Sequence, residues 1–347
     1  MRAAVLCGPY DIRVKEVPIP SIKSNEILVK IHASSICPTD MRKYMGLSRL
    51  KEPLILGHEV SGVVEKKGES VDNVQVGDRV VLDSAIYCYT CYYCRKGDFN
   101  YCLNAKGIGG GGEKIEKVDG SFSEYIAVPS VNAHHIGNAP FEETCLAEPF
   151  SAAIKSVHDC KTNNGDIVVV MGAGPIGLMQ LAYLKLIGAK VIVSELLEPR
   201  RKMAERYGAD LIVNPKVEDL KDIVLNWTNN RGADAVLVTV GGNAEAQATE
   251  QALQFIGKGG YVNIFAGTYP ETNITVNPNK IHYYEIKITG TFGHTPFTFS
   301  KAVDLISSKK IDVKPIVTHI FPLEKIKEAF ETATTKKENA LKVIIKP

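Results

Sequence analysis

Short apolar or alternating runs, separated by glycine, proline and aspartate, fill the first half of the chain. Three of these runs predict strands, at residues 27–32, 59–64 and 79–82. The glycine run at 109–112 is not followed by a helix pattern, so we expect a loop there that does not bind phosphate. This half of the chain therefore predicts a β-rich, partly open barrel.

From about residue 150 the pattern changes, and runs typical of buried strands alternate with runs typical of helices. A helix pattern begins at Pro175, and the predicted strands lie at 167–171, 190–194, 235–239, 261–265 and near 286–289. Strands separated by helices indicate a doubly wound parallel sheet.

The tail after about residue 291 has an amphipathic helix pattern at 299–306, then strand patterns at 316–320 and near Leu341. We expect this tail to return to the first domain. The predicted domains are 1–149, 150–290 and 291–347, with a small lobe at 84–104 inside the first.

Composition narrows the class of protein. A chain of 347 residues with 45% hydrophobic residues can bury two sizeable cores. The formal net charge of +2 is spread along the chain, which argues against a nucleic-acid partner or an anionic membrane surface. No run is long enough for a membrane span, and the N-terminus lacks the apolar stretch of a signal peptide, so we expect a cytoplasmic location.

Four cysteines in one short run follow a C-x2-C-x2-C-x7-C spacing. Soft thiolates suit zinc, and two-residue gaps allow a turning backbone to direct successive sulfurs to one point. Disulfides or chance clustering are the alternatives, and the first is disfavoured because nothing in the chain indicates secretion. Four thiolates leave no coordination position open, so this predicts a structural zinc, held by Cys88, Cys91, Cys94 and Cys102.

A glycine-rich G-x-G-x-x-G motif follows the predicted strand at 167–171 and begins a helix. In that context the motif predicts a dinucleotide site, with the pyrophosphate at the positive end of the helix. The residues expected to contact the coenzyme are Gly172, Gly174, Pro175, Ile176 and Gly177.

Glu195 ends the next predicted strand and would bind both ribose hydroxyls, which favours NAD over NADP. Arg200 and Arg201 leave the alternative open, because either could hold a 2′-phosphate. They could also be solvated residues of a first helical turn, or Arg200 could lie over the adenine.

A second set of candidate metal ligands is dispersed along the first domain. Cys37, His58, Glu59 and Glu148 offer a thiolate, an imidazole and carboxylates, a set that could leave one position open for catalysis. Three of them also have a structural interpretation. Cys37 could be a small buried residue, His58 a histidine at a strand end, and Glu148 a charge at the start of a helix. Spacing alone does not decide between these interpretations.

Taken together, the chain resembles the zinc-containing medium-chain dehydrogenases of the alcohol dehydrogenase superfamily over essentially its full length. The motifs that carry the resemblance are Cys37-Pro38-Thr39-Asp40, Gly57-His58-Glu59 with Gly62-Val63, the four-cysteine run, Gly77-Asp78-Arg79-Val80, Glu148-Pro149, and Gly172 with Gly174 and Gly177. Glu148-Pro149 in place of a cysteine ligand is similar to the polyol (sorbitol-type) and threonine dehydrogenase branches.

The resemblance implies a GroES-like catalytic domain, a Rossmann coenzyme domain, and a catalytic zinc in the cleft between them. In such relatives the residues matching Cys37 and His58 bind zinc, while those matching Glu59 and Glu148 share the remaining ligation or hold the zinc-bound water. We therefore expect two zinc ions per subunit, one catalytic and one structural. The family also implies a homodimer or homotetramer.

The implied reaction is the oxidation of an alcohol by hydride transfer to NAD. A zinc ion with an open position lowers the pKa of a substrate hydroxyl. Thr39 lies two residues after Cys37, and its hydroxyl would accept the proton of the alcohol. Alternatively, Thr39 only helps to form the turn. We expect Asp40 to cap and orient the same turn.

Several positions depart from the family pattern. Many relatives have a relay histidine where this chain has Arg42, which with Lys43 could meet an anionic substrate group, although two solvated charges are the simpler interpretation. The sorbitol-type Phe-Arg-Tyr is Phe292-Gly293-His294 here, and the histidine typical of threonine dehydrogenases is Ala85. Asn279, His282, Tyr283 and His294 could line a pocket, although a buried structural histidine is the simpler interpretation for each histidine.

Three functions follow. The first is NAD-linked oxidation of a secondary alcohol in a polyol, cyclitol or sugar-alcohol phosphate. The second is the same chemistry on an amino alcohol such as L-threonine. The third is a non-catalytic NAD-binding protein.

Overall fold

A computed structural model describes residues 1–48, 53–110, 116–242, 244–268 and 271–347. The chain forms two compact units, one of Met1–Ser151 with Thr295–Pro347 and the other of Ala152–His294. Of the predicted loop at 109–112, Gly111 and Gly112 lie outside the described residues.

The first unit is built mainly from β-strands. Its strands are β1 (Arg2–Gly8), β2 (Asp11–Glu16), β3 (Glu26–Ser35), β4 (Leu54–Ile55), β5 (Glu59–Lys67), β6 (Arg79–Leu82), β7 (Ala85–Ile86), β8 (Lys106–Ile108), β9 (Glu116–Val118), β10 (Tyr125–Pro129) and β11 (Ala133–His135), with β18 (Val317–Pro322) and β19 (Lys342–Lys346) from the end of the chain. The main sheet has the order β11-β6-β5-β3-β19-β18, and β10 also pairs with β3. The predicted strands at 27–32, 59–64 and 79–82 lie within β3, β5 and β6.

Apolar side chains from alternate positions of these strands form the core of the main sheet. Ile27, Val29 and Ile31 of β3 are at most 3% exposed and lie in one cluster with Val60, Val64 and Leu82. The tail contributes to a second core, in which Val343 and Ile345 of β19 pack with Leu6, Phe122 and Phe330.

The first unit also contains five α-helices in its described residues and shares a sixth with the second unit. They are α1 (Pro38–Tyr44), α2 (Tyr92–Lys96), α3 (Phe141–Thr144), α10 (Pro296–Ser307) and α11 (Ile326–Thr335), while α4 (Ala147–Asp159) runs from the first unit into the second. The helix predicted at 299–306 lies within α10.

The second unit alternates strands and helices as predicted. Its elements are β12 (Ile167–Met171), α5 (Pro175–Leu186), β13 (Lys190–Ser194), α6 (Glu198–Arg206), β14 (Leu211–Val213), α7 (Leu220–Trp227), β15 (Ala233–Val238), α8 (Ala244–Phe255), β16 (Ile256–Ile264), α9 (Pro278–Tyr284) and β17 (Lys287–Gly290). All pairs are parallel, and the order β14-β13-β12-β15-β16-β17 is the Rossmann order. The predicted fold class, a doubly wound parallel sheet joined to a GroES-like β-rich domain, is confirmed.

Strand pairing in the first unit determines where its polar residues meet. β3 and β5 are antiparallel, and Ser35 at the end of β3 lies opposite Glu59 at the start of β5. Because the end of one strand faces the start of the other, Cys37 and His58 come to the same end of the sheet.

In the described parts of the chain, no helix is both long and apolar enough to cross a membrane.

Candidate metal centres and coenzyme site

Three of the four dispersed ligand candidates converge at the junction of β3, β5 and α1. One sulfur, nitrogen or oxygen atom from each of Cys37, His58 and Glu59 lies within 4.8 Å of the others. Glu59 is fully buried and His58 is 12% exposed. A soft thiolate, an imidazole and a carboxylate at this separation form a ligand set that zinc accepts.

Asp40 ties the two ligand-bearing segments together. Its carboxylate accepts hydrogen bonds from the backbone N–H groups of Cys37, over 3.0 Å, and Gly57, over 3.2 Å. The expectation that Asp40 caps the turn after Cys37 is confirmed. The same carboxylate lies 3.5 Å from His58 Nδ1, a contact that the sequence did not predict. A carboxylate behind a ligand histidine fixes the orientation and tautomer of the ring.

The electrostatic field at His58 favours a cation. Burial by itself would lower the pKa of the imidazole, but the negative charges of Asp40 and Cys37 outweigh it and raise the pKa well above its usual value. For the carboxyl group of Asp40, burial by itself would raise the pKa, but the positive charges of His58 and Lys43 hold it below its ordinary value. A site that stabilises positive charge in this way also suits a metal ion.

Glu59 is held by a buried lysine that sequence reasoning missed. Lys342 of β19 is 3% exposed, and its Nζ donates a hydrogen bond to Glu59 Oε1 over 2.6 Å. Glu59 Oε2 lies 2.5 Å from the same ammonium nitrogen, so the lysine is paired with both carboxylate oxygens. A buried carboxylate held beside a thiol and an imidazole fits the ligand chemistry of zinc. The signal in the sequence was a lysine directly before the apolar run Val343–Ile345 of β19.

Glu148, the fourth candidate, does not belong to the group of atoms within 4.8 Å. It lies in the first turn of α4, and its Oε1 accepts a hydrogen bond from Ser84 over 3.2 Å. Its negative charge nevertheless acts on Glu59. Burial has the largest effect and raises the pKa of Glu59, the charge of Lys342 opposes this increase, and the charge of Glu148 adds to it. The structure therefore places Glu148 next to the centre, in the same unit.

The four cysteines of the lobe form the second cluster. The sulfur atoms of Cys88, Cys91, Cys94 and Cys102 all lie within 4.8 Å of one another. The Cys88 and Cys102 sulfurs are 3.5 Å apart, far longer than a disulfide bond, and all eight cysteines of the chain are free. The structure thus favours the metal interpretation over the disulfide one.

Local backbone structure directs these sulfurs inward. α2 begins after Cys91 and carries Cys94, and Gly97 in the left-handed conformation ends it. The backbone N–H groups of Cys88 and Cys91 point at the sulfurs of Cys102 and Cys88, each at 3.4 Å. Bonds from the backbone and side chain of Thr90, followed by the Cys91 N–H, lower the pKa of Cys88 to about 5, which favours the thiolate that zinc requires.

The glycine-rich turn in the second unit connects β12 to α5. Gly172 has a φ of +103°, and a Cβ on Gly177 would lie 1.9 Å from Gly172 O, so both positions require glycine for the fold itself. A Cβ on Gly174 would meet, among the described residues, only Arg200 Nη1 at 3.9 Å. Gly174 is the N-cap of α5, and Pro175 and Ile176 follow in its first turn. The open space at Gly174 fits the approach of a pyrophosphate.

Glu195 and two arginines border this turn. Glu195 is 7% exposed and accepts hydrogen bonds from Ala173 N over 2.7 Å and Leu197 N over 2.8 Å. Arg201 Nη1 donates to the backbone oxygens of Glu195 and Leu196, whereas Arg200 Nε is buried without a hydrogen-bond acceptor. An unpaired buried donor beside a helix N-terminus fits an anionic coenzyme.

Comparison with known proteins agrees with this geometry. Residues 23–138 match the family described as "Alcohol dehydrogenase GroES-like domain", and residues 175–308 match "Zinc-binding dehydrogenase". The chain belongs to the zinc-binding, medium-chain alcohol dehydrogenase superfamily.

The relatives lie in the expected branch of this superfamily. Sorbitol dehydrogenase of Bacillus subtilis is 33% identical over 353 residues, covering 100% of this chain and 97% of that protein. L-threonine 3-dehydrogenase of Pyrococcus abyssi is 35% identical over 346 residues, covering 97% and 96%. The structure of alcohol dehydrogenase TADH from Thermus sp. ATN1 has a TM-score of 0.92 and 29% identity, and covers 100% of this chain and 99% of that one. The predicted resemblance is confirmed.

One charged residue of α1 in this zinc-binding dehydrogenase differs from expectation. Lys43 is 5% exposed, and its Nζ donates to Gly109 O over 2.9 Å and also to Gly110 O. The interpretation of Lys43 as a solvated charge is wrong, and an ammonium held by backbone carbonyls is not available to a phosphate. Arg42 and Thr39 lie in the same helix and are half-buried.

The candidate pocket residues separate into two groups. Asn279, His282 and Tyr283 are exposed on α9, so the interpretation of His282 as a buried histidine is wrong. His294 is 3% exposed, as that interpretation predicted for it. Ala85, where threonine dehydrogenases have a histidine, is half-buried in β7, and its N–H donates to Asp83.

Proposed function

We propose that this protein is a zinc-dependent, NAD-linked dehydrogenase that oxidises a secondary alcohol of a polyol, cyclitol or sugar-alcohol phosphate to a ketone. The observation that carries the proposal is the convergence of Cys37, His58 and buried Glu59, whose ligand atoms lie within 4.8 Å of one another. The relatives named sorbitol dehydrogenase support a polyol as the substrate class.

Cys37 and His58 would hold the catalytic zinc, with Glu59 and Glu148 completing its protein ligands. Zinc bound there supplies Lewis-acid polarisation of the substrate hydroxyl. Asp40 keeps the His58 ring in the orientation for ligation, through its contact with Nδ1. The four lobe cysteines would hold a second, structural zinc.

The proton of the substrate hydroxyl would pass to Thr39 Oγ1, because Thr39 follows the ligand Cys37 by two residues in the first turn of α1. Arg42 occupies the position of the family's relay histidine. An arginine stays protonated and cannot relay a proton, so the proton would leave through water.

The coenzyme would bind with its pyrophosphate at Gly172, Gly174 and the first turn of α5, where Arg200 Nε is unpaired. NAD is favoured over NADP because the Glu195 carboxylate would repel a 2′-phosphate, while Arg201 is already bonded to backbone oxygens.

The experiment is NADH formation at 340 nm against polyols, inositols, sugar-alcohol phosphates, L-threonine, 2,3-butanediol and simple alcohols. Each substrate is supplied with NAD and with NADP, before and after chelation. We expect chelator-sensitive turnover of one polyol class with NAD. A preference for phosphorylated substrates would assign anion recognition to Arg42, and equal turnover after complete zinc removal would contradict the zinc mechanism.

A matched pair of cysteine variants tests the ligand assignment. Cys37→Ser is expected to lower kcat by more than about 100-fold and to remove one zinc ion per chain, because serine is a poor zinc ligand. Cys7→Ser, at a half-buried cysteine of β1 that bonds Val5 O, should leave both unchanged. Wild-type turnover by Cys37→Ser would exclude the catalytic zinc and favour a non-catalytic NAD-binding protein.

L-threonine 3-dehydrogenase activity is the second candidate, supported by the 35% identity to that enzyme of Pyrococcus abyssi. The alanine at position 85 argues against it. Oxidation of L-threonine faster than of every polyol in the same assay would reverse the order of the two candidates.

We further propose a homodimer or homotetramer, which light scattering after gel filtration would test.

A further inference from the structure

The charge of Lys342 is buried at the edge of the proposed catalytic metal centre. Its side chain is 3% exposed, and the ammonium group donates to Glu59 Oε1 over 2.6 Å and to Ile36 O over 3.3 Å. Burying an ammonium group is costly unless it is paired and hydrogen-bonded, and both conditions are met here. The lysine therefore has a fixed place relative to the ligand carboxylate.

β19 holds both ligand-bearing segments at this point. Ile36, which precedes Cys37, donates its backbone N–H to Val343 O over 2.9 Å and accepts from Lys342 through its carbonyl. Glu59, which follows His58, is bonded to the same lysine. Two segments that carry ligands are thus joined through one strand from the end of the chain.

Lys342 contacts both oxygens of Glu59. Its Nζ donates a hydrogen bond to Oε1 over 2.6 Å and lies 2.5 Å from Oε2. A carboxylate fixed by a buried cation has a defined place and orientation, which is how supporting residues orient metal ligands. Without the lysine, Glu59 would be a buried carboxylate beside Glu148 that has lost its hydrogen-bonded cation, and would turn away or draw in water.

We propose that Lys342 is a positioning residue of the metal centre, which holds the Glu59 carboxylate in place beside Cys37 and His58. It also balances part of the negative charge that Cys37, Glu59 and Glu148 bring together. The inference rests on the proposed metal centre and is independent of the substrate.

The test compares Lys342→Met and Lys342→Arg with Lys346→Met, a control on the same strand whose lysine is partly exposed and pairs with Glu142. Zinc release from the purified full-length protein is followed with a colour-forming chelator, and total zinc is counted per chain. The zinc ion of the proposed catalytic centre is identified as the ion that the Cys37→Ser variant lacks.

We expect Lys342→Met to release that ion about 10- to 100-fold faster than wild type, the usual effect of losing a supporting contact behind a ligand. Lys342→Arg should retain the ion better than Lys342→Met, and Lys346→Met should match wild type. The lobe zinc should be unaffected in all three. Release from Lys342→Met at or below the wild-type rate would overturn the proposal.

A double variant separates positioning from general damage to the fold. If Lys342 acts through Glu59, adding Lys342→Met to a Glu59→Gln background should change the release rate by less than about 3-fold. An equally large acceleration in both backgrounds would show that the lysine only supports the strand, and would overturn the proposal.

Zinc release requires no substrate, so this result is distinguishable from the outcome of the activity assay. An inactive substrate panel together with fast release from Lys342→Met would contradict the proposed function and support the positioning role. A Cys37→Ser variant that keeps two zinc ions would overturn the metal centre and, with it, the role of Lys342.

Discussion

Each glycine of the coenzyme turn excludes a side chain for a different physical reason. At Gly177 the backbone of the same turn is in the way, since an added Cβ would lie 1.9 Å from Gly172 O. At Gly174 the described chain leaves room, and only the coenzyme would need the space. The motif alone cannot distinguish these two cases.

A pair of alanine variants should therefore separate folding from binding. Gly174→Ala is expected to keep the thermal midpoint of wild type and to weaken NADH binding at least about 10-fold, because its methyl group would meet the pyrophosphate. Gly177→Ala should lower stability by about 2 kcal/mol or more, through overpacking against backbone. NADH fluorescence titration and thermal unfolding check both, and a strongly destabilised Gly174→Ala would contradict the assignment.

Glu245 of α8 gives a second prediction at this scale. It is 2% exposed, no described residue forms a hydrogen bond with either carboxylate oxygen, and burial raises the pKa of the group to about 7. Between its ordinary pKa and about 7, the folded protein keeps a proton that the unfolded chain has lost, so stability falls as pH rises through this window. At pH 8 the folded protein carries the full free-energy cost of the buried, ionised Glu245 carboxylate.

Glu245→Gln should consequently stabilise the protein by about 1–3 kcal/mol at pH 8 and by much less at pH 5. Thermal unfolding at the two pH values measures the difference. Glu205→Gln, at an exposed position of α6, is the control and should show no such dependence. An equal gain at both pH values would mean that the effect does not arise from ionisation of Glu245.

At the scale of elements, the strands of the second unit were the most predictable part of the fold. The runs at 167–171 and 190–194 coincide with β12 and β13, because strands buried on both faces give continuous apolar runs. The sheets β2-β1-β4 and β7-β8-β9 were not predicted. Several of their strands are only two or three residues long and carry too little pattern to be recognised.

The four-cysteine lobe is the element that we expect to depend most on a bound metal. It combines the five-residue α2, one turn of 3-10 helix and short strands, and several of its tyrosines are exposed. Cys94→Ser is therefore expected to lose one zinc ion and to make residues 88–104 sensitive to limited proteolysis. NADH binding by the second unit should persist, and Cys7→Ser is the control. An intact, protease-resistant lobe in Cys94→Ser would show that the metal is not what holds it.

At the scale of the molecule, the proposed metal sites and the proposed coenzyme site belong to different units of the chain. Both cysteine-containing clusters lie in Met1–Ser151, and the glycine-rich turn lies in Ala152–His294. This separation makes the two chemistries independently testable.

Removal of zinc by a strong chelator should stop turnover while NADH still binds with an affinity within about 3-fold of the loaded enzyme. Two zinc ions per chain are expected before chelation, and one in each of Cys37→Ser and Cys94→Ser. Elemental analysis and fluorescence titration on the same samples provide the measurement. Loss of coenzyme affinity in parallel with zinc would show that the two chemistries are not separate.

The sequence by itself determined the order of elements in the second unit, the fold class, the cysteine spacing of the lobe and the glycine-rich turn. These features are local, since a strand, a helix start or a run of ligands is encoded within some 15 neighbouring residues. Family resemblance then directed attention to Cys37, His58 and Glu59, which spacing alone could not join.

Tertiary structure alone decided the environment of those residues. Lys342 is 283 positions from Glu59, and Lys43 is 66 from Gly109. Asp40 contacts His58 and accepts the N–H of Gly57, which is 17 positions away. Whether a charge is solvated or buried depends on which distant segment covers it, and hydrophobic periodicity contains no information about that partner. For the same reason the sequence suggested solvated charges at Lys43 and no role for Lys342, and the fold buries both.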